Sequence, residues 1–206
     1  VTLLQRILRA VPEDADQGPI LDGALAAFLD FGIRRTSMNE VAKRSGLSPA
    51  TLYRRFAQKS QLVEAVAIRE ARRFVEAVDR SVDHDASAVE QVVEGFVAFA
   101  EGLTRNRLLT RLLTTEPEVT LPLLTTQAGP FLALGRDYLA ETIGRLQKQG
   151  KVSAFDPEPP AEILARLALS LALTPQGIIP VNEPAAARDF AREFITPLLR
   201  LDPGAL

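Results

Sequence analysis

Between residues 45 and 62 the chain reads SGLSPATLYRRFAQKSQL. Hydroxyls at Ser45, Ser48 and Thr51, one aromatic at Tyr53 and the cations Arg54, Arg55 and Lys59 share one short segment. The chemistry open to such a set is anion docking. Hydroxyls and the N–H groups at a helix start donate to phosphate oxygens, and cations beside them neutralise the charge. Ser48 followed by Pro49 reads as a helix start: the serine caps, and proline at the first helical position gives up an N–H that has no partner there. On the resulting helix Leu52 and Phe56 are four apart and face inward, which turns Thr51, Arg54 and Arg55 outward and leaves Tyr53 at the edge. Such a face suits the major groove, with short polar groups for base edges and cations for phosphates. Lys59 opens the next helix.

The elements that hold this face can be read upstream. Residues 37–44 form a short helix capped by Ser37, with Glu40 at the capping-box position. Gly46 permits a tight turn, and Ala42 and Gly46 are small where two helices approach. Residues 20–31 (ILDGALAAFLDF) place Ile20, Ala24, Ala27, Phe28 and Phe31 on one face, and Gly32 stops that helix. Two short helices about a tight turn are a helix-turn-helix. Charge agrees with it. From residue 18 to residue 60 the seven cations Arg34, Arg35, Lys43, Arg44, Arg54, Arg55 and Lys59 stand against Asp22, Asp30 and Glu40, a balance of +4 in a chain of net charge −2. A basic module on an acidic body meets a polyanion at one end only.

The rest of the 206 residues keeps helical periodicity with no strand-like alternation. The spacing predicts helices over 59–82, 87–104, 108–115, 131–149, 161–173 and 185–201, about nine in all. The stretch 155–160 (FDPEPP) is expected to be a loop, and Pro197 to bend or end the last helix. The fold class is all-α: an N-terminal three-helix DNA-binding domain at 20–60 and a C-terminal bundle at 61–206, preceded by an extension at 1–19. In that extension Leu3, Leu4, Ile7, Leu8 and Val11 fall at helical spacing. It is an arm on DNA or a packed helix, and the packed reading is favoured.

The stretch AFLDFGIRRTSMNEVAKRSGLSPATLYRRFAQKSQLVEAV, residues 27–66, resembles the TetR family of bacterial regulators. The resemblance is carried by Phe28 and Gly32, Thr36, Val41-Ala42, Gly46-Leu47-Ser48, Thr51-Leu52-Tyr53, Phe56 and Lys59. It implies that Thr36, Ser48, Thr51, Tyr53 and Lys59 touch DNA, mostly its backbone. Arg44 and Arg54 are added by position and charge. Pro49, Ala50 and Ala57 depart from the residues frequent in the family (Lys, Gly and Pro), which leaves base readout at the helix start open.

The resemblance further implies a homodimer, a repressor rather than an activator, on a palindromic double-stranded operator, released when the C-terminal domain binds a small molecule. The last two helices are the expected interface, with Ala161, Ala165, Ala168 and Ala172 allowing close approach and Phe190 and Phe194 beside them. The pocket candidates are Phe96, Phe99, Leu103, Leu112, Phe131, Leu134, Tyr138 and Leu164. Few charges interrupt residues 121–134 (LPLLTTQAGPFLAL), so the expected effector is apolar, fatty-acid-like or a hydrophobic drug. A DNA-independent helical carrier for such a ligand is the competing reading.

Enzyme chemistry finds little support. There is no Cys, the single His84 sits in a break between helices, and no HExxH, P-loop or GxSxG occurs. No cofactor, metal or membrane partner is expected, and a cytoplasmic location is the default.

Overall fold

The computed structural model describes residues 17–201, so the expectation for the extension falls largely outside the described residues. Among the described residues ten α-helices follow one another: α1 (Gly18–Phe31), α2 (Met38–Arg44), α3 (Pro49–Arg55), α4 (Lys59–Arg80), α5 (Ala88–Arg105), α6 (Arg107–Thr115), α7 (Pro117–Leu124), α8 (Gly129–Lys148), α9 (Glu158–Leu173) and α10 (Pro184–Phe190). The last continues as a π turn (Ala191–Ile195) and a 3-10 turn (Thr196–Leu199). Among the described residues there is no strand, so the chain is all-α as its periodicity requires.

Contacts gather the described residues into two compact units, one of residues 17–71 and 107–128, the other of 72–106 and 129–201. The first is built on Ile20, Ala24, Phe28, Val41, Leu52, Leu62 and Val66, with Leu112, Val119 and Leu123 of α6 and α7 packed against them. Compactness thus adds 61–71 and 107–128 to the helix-turn-helix. In the second unit α5 packs on the C-terminal segment through Val89, Val93, Ala191 and Ile195, and α8 packs on α9 through Ala140, Ile143 and Ala161.

Three local readings are corrected. Residues 117–124, where the spacing predicts no helix, are helical. Pro117 lies in the first turn, and Pro122 sits close enough to the C-terminus that the helix ends two residues later. The stretch 155–160 is not all loop, because α9 starts at Glu158 with Pro159 and Pro160 in its N-terminal turn. The last helix is not one α-helix from 185 to 201: it widens at Ala191 and ends at Leu199, with Arg200 left-handed at φ 55°. Among the described residues no helix is long and apolar enough to cross a membrane.

Candidate nucleic-acid interface

Each of the two short helices is started by a serine. Ser37 Oγ accepts the Glu40 N–H at 3.1 Å, and Ser48 Oγ accepts the Thr51 N–H at 3.2 Å. Between the helices Gly46 takes φ +69°, a left-handed turn that a side chain would strain. The close approach of α1 to the end of α2 falls on Gly23, where a Cβ would lie 2.4 Å from Ser45 Oγ. Ala42 is buried as expected, whereas Gly46 has open space around it. On α3, Leu52 is fully buried and Phe56 nearly so. The rotation this fixes turns Pro49, Ala50, Tyr53 and Arg54 to solvent and leaves Thr51 and Arg55 half-buried. Tyr53, 49% exposed, is therefore on the open face rather than at its edge.

Other predicted contacts are placed differently. Thr36 is 2% exposed, and its hydroxyl donates to the carbonyls of Gly32 at 2.7 Å and Ala27 at 3.1 Å. It ties the turn to the end of α1, so its side chain is not available to a phosphate. Arg44 is committed to Asp30 at 2.6 Å and Glu40 at 2.8 Å and lies over the Phe31 ring. Its bonds to Glu40 and Asp30 raise its pKa further, and the guanidinium braces α2 on α1. Because Glu40 turns to Arg44, the expected capping box at Ser37 is only half made: the serine caps, and the glutamate does not reach back. Lys59 donates to the carbonyls of Thr36 at 2.7 Å and Arg34 at 3.0 Å. Burial lowers its pKa, and the nearby Glu116 carboxylate opposes that shift.

Glu116, at the α6–α7 junction, escaped the sequence reading. It is 5% exposed and accepts the N–H groups of Ile33 at 2.5 Å and Arg34 at 2.8 Å. Arg111 of α6 donates to the Leu29 carbonyl at the end of α1. These contacts span more than eighty residues of sequence, so no local spacing announces them.

In the second unit the predicted pocket residues do not form one cluster. Phe96 joins a file of rings, with Phe99 at 6.4 Å, Phe190 at 5.6 Å and, beyond it, Phe194 5.1 Å from Phe190. Leu103 and Leu134 are buried, Phe131 is half-buried, and Leu164 packs under α5. Tyr138 donates to Asp79 at 3.0 Å, and burial, then Asp79, push its pKa up. Leu112 belongs to the other unit, against the helix-turn-helix core. A groove of about 310 Å³ runs along α4 and α5 over Phe74, Val78, Val97 and Gly102, and none of the eight candidates lines it. Its rim carries Arg188, paired through two bonds with Glu94 at 2.7 and 3.0 Å.

The alanine stripe of α9 is also reassigned in part. Ala161 and Ala165 are buried inside the unit, and Ala165 Cβ lies 3.4 Å from where a Cβ on Gly135 of α8 would sit. Their small size serves the α8–α9 approach. Ala168 and Ala172 are half-buried. Among the described residues the large apolar side chains left outside on this part of the chain are Ile163, Ile178, Phe194 and Leu198, with Phe194 54% exposed.

Comparison with known proteins agrees with this geometry. Residues 20–66 match the family described as "Bacterial regulatory proteins, tetR family", and residues 85–195 match "Bacterial Tetracyclin repressor, C-terminal domain". The chain is 28% identical over 191 residues to the HTH-type transcriptional regulator AlkX of Mycobacterium tuberculosis, covering 89% of this chain and 87% of that one. Among solved structures it shares its fold with the repressor AlkX from a Dietzia species, implicated in n-alkane biodegradation (23% identity, TM-score 0.66, 89% and 95% of the two chains). It also shares it with Thermus thermophilus FadR, a repressor in complex with lauroyl-CoA (24% identity, TM-score 0.58, 92% and 95%).

Proposed function

Since the chain belongs to the TetR family of bacterial transcriptional regulators, we propose that it is a homodimeric repressor that binds a palindromic operator and is released by an apolar, fatty-acyl-like effector. The observation that carries the DNA half of this reading is α3. Leu52 anchors the helix, and Tyr53 and Arg54 stand outward from it, with no ion pair to either among the described residues. One short helix reads few base pairs, and two-fold pairing doubles the contact. The exposed apolar side chains Ile163, Leu198 and Phe194 are candidates for that pairing.

The effector half rests on the ring file from Phe74 through Phe99 and Phe96 to Phe190. It is supported by two relatives, one implicated in n-alkane biodegradation and one in complex with lauroyl-CoA. Repression follows the same relatives, both named repressors, and the cytoplasm is where such a protein meets its operator.

The test is fluorescence anisotropy with DNA from upstream of the protein's own gene against shuffled DNA, at several salt concentrations. Tyr53→Ala and Arg54→Ala are each expected to weaken specific binding with Tm unchanged, and Arg54→Ala to flatten the log–log salt slope by about 0.9. Lauroyl-CoA or dodecanoic acid is expected to release the DNA. Equal affinity for both DNAs in the wild type and both variants, with the lipid still bound, would overturn the regulator in favour of a carrier.

A further inference from the structure

The turn between α1 and α2 is held from both electrical ends. Its N–H groups at Ile33 and Arg34 point into the buried Glu116 carboxylate. Its carbonyls at Arg34 and Thr36 receive the Lys59 ammonium. Gly32 makes room for this arrangement: at φ +82° a Cβ there would lie 3.1 Å from both carboxylate oxygens. An ammonium has three N–H groups. Two of those on Lys59 are spent on the turn, which leaves the third.

We infer that Glu116 is a positioning residue of the DNA interface: it touches no DNA, but fixes the turn whose carbonyls aim Lys59. The inference rests on the DNA-binding reading above. It makes the reading unit discontinuous, since residues 20–60 lack the carboxylate that sets their own first turn. Charge-assisted bonds to two backbone amides are strong, and a buried donor left without its acceptor is costly, so losing the carboxylate should rearrange the turn.

The experiment measures affinity of the full chain for its upstream DNA at several salt concentrations. The variants are Glu116→Gln, Lys59→Met and their combination, with Tyr53→Ala as a control. Glu116→Gln is expected to stay helical by circular dichroism yet bind roughly tenfold more weakly. Its log–log salt slope should flatten by about 0.9, one phosphate contact. Lys59→Met should then cost far less in the Glu116→Gln background than alone. Glu116→Asp, which keeps the charge but draws it back by one methylene, carries the test if the glutamine variant does not fold, with an intermediate loss expected. A folded variant with wild-type affinity and slope overturns the inference, as does full additivity with Lys59→Met, since a merely structural anchor would leave both unchanged. Specific wild-type binding indifferent to Tyr53→Ala and Lys59→Met would sink the assigned interface itself, and the inference with it.

Discussion

Gly23→Ala tests whether the α1–α2 spacing is set where the structure sets it. The added Cβ would lie 2.4 Å from Ser45 Oγ, 3.0 Å from Ser45 N and 3.3 Å from the Arg44 carbonyl carbon. The hydroxyl can rotate away, but it then gives up its 2.8 Å bond to the Val41 carbonyl, a loss of about 1 kcal/mol. The backbone atoms cannot rotate. Relieving them moves α2 outward by a few tenths of an ångström, an overpacking cost of about 1–3 kcal/mol. Against this, alanine inside a helix gains about 1 kcal/mol over glycine. The balance is a destabilisation of about 1–3 kcal/mol. Urea unfolding followed by far-ultraviolet circular dichroism reads it directly. Ser45→Ala in the Gly23→Ala background should recover only the hydroxyl share. DNA affinity should fall as well at temperatures where both proteins are folded, because α3 is carried by α2. A Gly23→Ala protein as stable as the wild type, or more so, would show that α1 and α2 are not in this close contact.

Two further outcomes are expected. Phe194→Asp places a charge on the exposed apolar face of the C-terminal segment, so sedimentation should show a dimer dissociating while the helical signal stays; a wild type that sediments as a monomer would refute the pairing. Glu94 is held below its ordinary carboxylate pKa first by its bonds to Arg188, so its contribution is present in full above that ordinary value and lost as pH falls through the depressed one. With 42% of its side chain exposed the pair is worth under about 1 kcal/mol. Glu94→Gln should therefore lower Tm slightly at neutral pH, the gap closing in acid; a gap independent of pH would contradict this.

What could be read from the sequence was what neighbours along the chain decide. Leu52 and Phe56 set the rotation of α3 because they are one turn apart, and Ser37, Ser48, Gly32 and Gly46 mark helix ends through their own backbone chemistry. What stayed hidden depends on partners far along the chain. Arg44 has the charge of a phosphate ligand, yet Asp30, fourteen residues away, claims it. Thr36 has the hydroxyl, yet its burial turns it to carbonyls. The spacing of Ala161 and Ala165 defines a stripe, but periodicity does not say whether α8 or a second copy covers it. Helix α7 was obscured because a proline at a helix start and a proline that stops a helix look the same in sequence.

The +4 balance of residues 18–60 takes a different meaning once partners are assigned. Arg34 faces Glu118 at 3.2 Å and Glu116 at 3.9 Å, and Arg44 is neutralised by Asp30 and Glu40. Lys59 keeps its charge but shares it with the turn. Among the described residues Lys43 and Arg54 are exposed and carry no ion pair, and Arg35 bonds only the Phe31 carbonyl. On the proposed reading each copy would therefore bring Arg35, Lys43, Arg54 and a share of Lys59 to a duplex, rather than all seven cations. At about 0.9 of salt slope per phosphate, so few contacts give one copy little affinity at moderate ionic strength, whereas roughly six to eight lie in the range where specific regulators work. The exposed Phe194, Leu198 and Ile163 thus bear on the proposed pairing. By holding two reading units together, they would supply the phosphate contacts that the internal ion pairs take from each one.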